Sequence, residues 1–133
     1  MKNLAFILPA LLVIGLISCE KDNLSANEVT NNLIQGEWDV TSYTIDGVEE
    51  IVPGFSVDMR YTKTGEATGS TEWRFFTGAL LDELVKLDYE IINDGQQIDF
   101  GSGGVLNVEA TSDFLQLEGN LDGYRHELEA EKE

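Results

Sequence analysis

From Gly36 onward, apolar and polar residues alternate with period two, the spacing of half-buried β-strands. Trp38 and Val40 alternate with Asp39 and Thr41, and the run continues through Tyr43 and Ile45. Asp46-Gly47 and Pro53-Gly54 are turn dipeptides. Phe55, Val57, Met59 and Tyr61 then alternate strictly with Ser56, Asp58, Arg60 and Thr62, the clearest strand of the chain. Lys63-Thr64-Gly65 turns it, and Thr71, Trp73 and Phe75, interleaved with Glu72 and Arg74, predict a third. Further strands are expected at Leu87-Tyr89-Ile91, Ile98 and Phe100, Leu106-Val108-Ala110, Leu115 and Leu117, and Tyr124 to Ala130. Between them stand Asn93-Asp94-Gly95, Gly101-Ser102-Gly103-Gly104, Thr111-Ser112-Asp113 and Gly119-Asn120, all turn-forming.

Two stretches depart from this period. In Gly78–Lys86, Leu80, Leu81, Leu84 and Val85 have helix-like spacing around Asp82 and Glu83, which reads as either a short helix or an apolar flap. In Leu24–Ile34, Ser25 is placed to cap a short helix with Glu28 as its capping-box partner. Leu24, Val29 and Leu33 would share its apolar face, and it should end before Gly36. Eight strands joined by short connections imply antiparallel, up-and-down order, and closing such a sheet removes its exposed edges. The expected fold is therefore all-β: a small eight-stranded antiparallel up-and-down barrel, with a short N-terminal helix and one short helix or flap around residues 78–86.

Ahead of the helix the pattern changes again. Met1-Lys2-Asn3 is a short positive segment, and Leu4 to Ile17 is almost wholly apolar, broken by Pro9 and Gly15. At ~14 residues this run is short of the ~20 a membrane span needs and suits the apolar region of a signal peptide. Its end, Leu16-Ile17-Ser18-Cys19, resembles the lipobox of bacterial lipoproteins: aliphatic, small or aliphatic, small, then Cys. The resemblance implies that residues 1–18 are removed as a lipoprotein signal peptide and that Cys19 becomes the lipidated first residue. Diacylglycerol on its sulfur and an acyl chain on its amine would anchor the chain permanently in a membrane. The plainer readings are an ordinary secretory signal with an accidental Cys, or an uncleaved anchor. Glu20-Lys21-Asp22-Asn23 resembles the surface-export signal of Bacteroidetes lipoproteins, which implies a place in the cell envelope, on the outer membrane and facing outward. A merely charged tether is the other reading. The chain then divides into residues 1–18 (signal peptide), 19–32 (lipidated tether and short helix) and 33–133 (barrel domain).

The barrel segment itself resembles the lipocalin-like, or calycin-type, domains of Bacteroidetes lipoproteins. Leu33-Ile34-Gln35-Gly36-Glu37-Trp38 matches the G-x-W opening of the first strand. Tyr89-Glu90-Ile91, Asn93-Asp94-Gly95, Ile98-Asp99-Phe100, Ser112 to Leu117 and the aromatic-bearing last strand from Tyr124 follow the same plan. The resemblance implies that Trp38 closes the bottom of the barrel, with Arg125 on the last strand stacked on its indole. It also implies non-enzymatic binding of a small apolar or amphipathic ligand or of another envelope component. The chain is short for that family and lacks its long C-terminal helix. A packed barrel without a cavity, acting as a structural, inhibitor-like or interaction module, is the alternative.

Composition narrows the chemistry. Lys and Arg number 8 against 25 Asp and Glu, a net charge of −17, which repels nucleic acid and anionic membrane surfaces alike. With one Cys there is no intrachain disulfide and no multi-cysteine metal site. His126, the single histidine, has no partner type for a transition-metal site or a Cys-His pair and reads as structural or surface. The carboxylates at Asp46, Glu49 and Glu50, at Asp82 and Glu83, and along Glu127, Glu129, Glu131 and Glu133 lack the spacing of a calcium loop. Gly101-Ser102-Gly103-Gly104 lacks the Lys and the following helix of a phosphate loop. No catalytic constellation, cofactor or metal is expected. A ligand, if bound, should meet Trp73, Phe75, Phe76, Leu80 and Leu84, where aromatic residues adjoin the Gly78–Lys86 stretch.

Overall fold

The structure, a computed structural model, describes residues 24–133 and, ahead of them, only a backbone ladder pairing Asn3–Leu4 with Leu11–Leu12. The expected signal peptide, the lipidation site Cys19 and the tether as far as Asn23 otherwise lie outside the described residues. Eight strands follow one helix: α1 (Ala26–Leu33), β1 (Gly36–Ile45), β2 (Phe55–Lys63), β3 (Thr68–Thr77), β4 (Leu80–Ile92), β5 (Gln97–Asp99), β6 (Gly104–Ala110), β7 (Phe114–Leu121) and β8 (Tyr124–Lys132). A two-residue stub, Val48–Glu49, folds back on β1, and a turn of 3₁₀ helix, Gly101–Gly103, precedes β6.

Each strand pairs antiparallel with the next in sequence, and β8 returns to pair with β1, closing the barrel. In that closing ladder Lys132 stands opposite Trp38 and His126 opposite Ile45. The all-β, eight-stranded up-and-down architecture expected from the alternation is the one observed. The inward positions of all strands form one continuous core running from Ile34 and Trp38 through Met59, Ile91 and Leu106 to Leu128. Each large side chain buried there contributes about 1.5–3 kcal/mol. The helix, the closed ladder and this core are all contained within residues 24–133.

The stretch 78–86 is neither helix nor flap. Thr77 and Leu80 pair across a tight turn at Gly78, and β4 runs unbroken for 13 residues. The helix-like spacing has a local cause. Phe75 pairs with Glu83 but Phe76 with Leu81, so Asp82 is an extra residue, a β-bulge that shifts the inward phase by one. After the bulge, Val85, Leu87, Tyr89 and Ile91 face inward in strict alternation. A second bulge leaves Thr41 unpaired in β1, which is why the inward positions step from Val40 to Tyr43.

Helix α1 lies across one end of the barrel. Ser25 is its N-cap, and its Oγ accepts from the Glu28 N–H at 3.0 Å. Glu28 does not complete a capping box, because its carboxylate pairs with Lys63 at 2.9 Å. The expected apolar face is also corrected: Leu24 and Val29 are exposed. The helix docks instead through Asn27, Thr30, Asn31 and Ile34, at helical spacing on the opposite side. Asn27 Oδ1 accepts from the Gly95 N–H at 2.7 Å, and the Thr30 hydroxyl donates to the Gly95 carbonyl at 2.9 Å. Gly95 has φ +80, and a Cβ there would strike both Thr30 and the helix backbone, so only glycine fits this turn.

Candidate functional site: the open end of the barrel

The two ends of the barrel are chemically different. At the helix end, Asn31 is fully buried, and its amide donates to the carbonyls of Gly65, Glu66 and Thr68, each at 3.1 Å. Its carbonyl oxygen accepts from the Tyr89 hydroxyl at 2.7 Å and from Gln35 Nε2 at 3.1 Å. Trp38 is fully buried beside it, with Nε1 donating to the Ile34 carbonyl at 2.8 Å. The cation over its ring is Lys132, with Nζ 4.7 Å from the centroid. Arg125 is not the stacking partner expected from the family plan. It starts the last strand rather than ends it, and its guanidinium pairs with Glu118 and Glu127 at the far end of the barrel. Antiparallel closure forces this, because the residue facing the start of β1 must come from the end of β8.

The other end is formed by the β1–β2, β3–β4, β5–β6 and β7–β8 connections, and there the filling stops. A cavity of about 260 Å³ opens between Tyr43, Trp73, Phe75, Leu87, Phe100 and His126. A second, of about 220 Å³, lies on the other side of Tyr43 and Phe75, toward Phe55, Phe76, Glu50 and Glu83. Trp73 packs edge-on against Tyr43 and Phe100, with centroids 6.3 and 6.0 Å apart. Its indole Nε1 is buried without a hydrogen-bond partner among the described residues, an arrangement that native interiors usually avoid.

His126 and Tyr43 form the polar wall. His126 Nε2 is 3.1 Å from the Leu121 carbonyl, which can only accept, so Nε2 carries the proton. Nδ1 then accepts from the Tyr43 hydroxyl at 2.7 Å. The Tyr43 phenol is pushed well above its ordinary range, first by burial and then by the negative charges of Glu50 and Glu83. Glu49 secures the loop beside it by accepting from the backbone N–H groups of Tyr43 at 3.1 Å and Ile51 at 2.9 Å. These bonds hold its exposed carboxyl below the usual range.

Of the five residues expected to meet a ligand, Trp73 and Phe75 line the inner cavity, and Phe75 and Phe76 line the outer one. Leu80 and Leu84 are not brought to either; they are 67% and 43% exposed on the outside of the β3–β4 hairpin. Tyr43, Phe100, His126, Glu50 and Glu83 belong to the site and were not singled out for it by spacing. Glu83 could have been, since alternation alone gives it the phase of Val85, Leu87, Tyr89 and Ile91. Among the described residues, no group of three or more His, Cys, Asp or Glu side chains is placed to hold a metal ion. No described helix is long and apolar enough to cross a membrane.

Neither protein-family models nor curated proteins match this chain. Its fold is that of an eight-stranded antiparallel up-and-down barrel. A solved structure of a redesigned β-barrel is similar to it with a TM-score of 0.56 at 14% identity, covering 78% of this chain and 95% of that one. At that identity the likeness concerns the fold alone.

Proposed function

We propose that this chain is an exported lipoprotein whose barrel binds a small apolar or amphipathic ligand through its open end and catalyses no reaction. The observation that carries the reading is the asymmetry of the barrel. One end is sealed by α1, Trp38 and Asn31, whereas the other opens on aromatic walls formed by Tyr43, Trp73, Phe75 and Phe100. Each cavity is below the ~300 Å³ at which pockets for drug-sized ligands begin, so the ligand is small. Burial against aromatic walls supplies roughly 25 cal/mol per Å² before ordering costs.

The anchor rests on Leu16-Ile17-Ser18-Cys19 behind its apolar run. Cys19 carries the lipid, the acidic tether beginning Glu20-Lys21-Asp22 extends from it, and the barrel stands off the outer membrane facing outward. A net charge of −17 keeps such a domain away from anionic headgroups. Replacing Cys19→Ser should release the protein from the membrane fraction and leave the barrel folded; retention in the membrane would contradict the anchor. Native mass spectrometry of residues 24–133, purified without detergent, should reveal a co-purifying small molecule.

A second reading is an envelope interaction module. It is favoured by the apolar residues exposed on the β3–β4 hairpin, Leu80, Leu81 and Leu84. A barrel that takes up no small ligand but retains a second protein through that hairpin would support it.

A further inference from the structure

Each described Lys and Arg has an anionic or aromatic partner, and none of them lines either cavity. Arg60 pairs with Glu37, Lys63 with Glu28, Arg74 with Asp58 and Lys86 with Glu72. Arg125 pairs with Glu118, and Lys132 covers Trp38 at the closed end. The outer cavity is lined by no Lys or Arg but by three carboxylates, Glu50, Asp82 and Glu83, set among Tyr43, Phe55 and Phe75. Asp82 accepts from the Thr77 hydroxyl. Glu50 and Glu83 form no salt bridge among the described residues.

The placement of Glu83 is built into the fold. Glu83 stands across the ladder from Phe75 and shares the alternation phase of Val85, Leu87, Tyr89 and Ile91, which sets it at the mouth rather than on the outer face of β4. An unbalanced negative charge among aromatic side chains suits an organic cation. The rings contribute quadrupole attraction and the carboxylates Coulomb attraction. The same carboxylates repel a fatty acid or an alkyl sulfate.

We propose that the mouth of the barrel selects a positively charged amphipath, an amine or quaternary ammonium with a short apolar body. The apolar part lies against Tyr43, Phe55 and Phe75, and the cationic head lies between Glu50 and Glu83. This deepens the ligand-binding reading above and depends on it.

The test compares octyltrimethylammonium, octanol and octyl sulfate by calorimetric titration of residues 24–133 at low ionic strength. The cation should bind at least about tenfold more tightly than octanol, and the sulfate more weakly than either. Glu50→Gln with Glu83→Gln should lower the cation-to-octanol affinity ratio about tenfold. Glu129→Gln with Glu131→Gln removes the same charge from the outer face of β8 and should leave that ratio unchanged, which separates a local effect from the net charge. Equal binding of all three probes, or an equal effect of the two double variants, overturns the cation proposal and leaves the ligand-binding reading standing. No binding of any probe overturns both.

Discussion

The Asn31 side chain meets the Tyr89 hydroxyl at 2.7 Å inside the sealed end of the barrel, and the same carboxamide holds three carbonyls of the β2–β3 turn. One polar side chain therefore ties the helix, that turn and β4 together. Gly69 makes room for it. Gly69 pairs with Tyr89, and a Cβ there would strike the phenol ring.

Replacing Asn31→Ala strips donors from three carbonyls and an acceptor from Tyr89 in a buried site. Unsatisfied buried polar groups cost about 1–3 kcal/mol each, partly relieved by water entry. A loss of about 3 kcal/mol in urea unfolding is expected, with α1 amides losing hydrogen-exchange protection first. Substitution of exposed Val29→Ala, on the helix face once expected to be buried, should cost less than about 0.5 kcal/mol.

Lys132 and Arg125 make a second test. Lys132→Ala removes the cation over Trp38 and should cost about 1 kcal/mol and increase quenching of Trp38 emission by iodide. Arg125→Ala breaks half-exposed ion pairs only and should change stability by less than about 0.5 kcal/mol. The reverse ranking would restore Arg125 as the closing residue.

Alkali should unfold the barrel through its buried phenols. Burial raises the pKa of Tyr43, Tyr61 and Tyr89 above the ordinary value of 10.0. The folded state thus keeps protons that the unfolded state releases near pH 10. Their contribution is intact below about pH 10 and is lost as pH rises above it toward the folded-state values. Thermal midpoints should be flat from neutral pH up to about 10 and fall beyond it. Tyrosinate absorbance from the three should appear only together with loss of the β-sheet circular dichroism. Ionisation of these phenols in an intact barrel would contradict the burial account.

The fold was legible because the information lay in local alternation. Residues such as Phe55, Val57, Met59 and Tyr61 mark strand phase directly, and short turns leave few ways to connect eight strands. What was misread depended on events that alternation does not encode. The bulge at Asp82 turned a strand into helix-like spacing. The helix docks by Asn27, Thr30 and Asn31 because turn carbonyls and amides at the barrel end need partners, a demand invisible from the helix sequence. Trp73, Phe75 and Phe76 were legible as an aromatic cluster. Tyr43, Phe100 and His126 join it only through closure, which brings β1, β5 and β8 to one mouth.

On the proposed function, the open end, and not the outer surface, takes up a small ligand. Side-chain NMR of residues 24–133 titrated with octanol tests it most directly. Saturable shifts are expected at Tyr43, Trp73 Nε1–H, Phe75 and His126, with Trp38, Tyr89 and the exposed Leu80 unmoved. No saturable shift at those four, or shifts confined to the β3–β4 hairpin around Leu80 and Leu84, would contradict it.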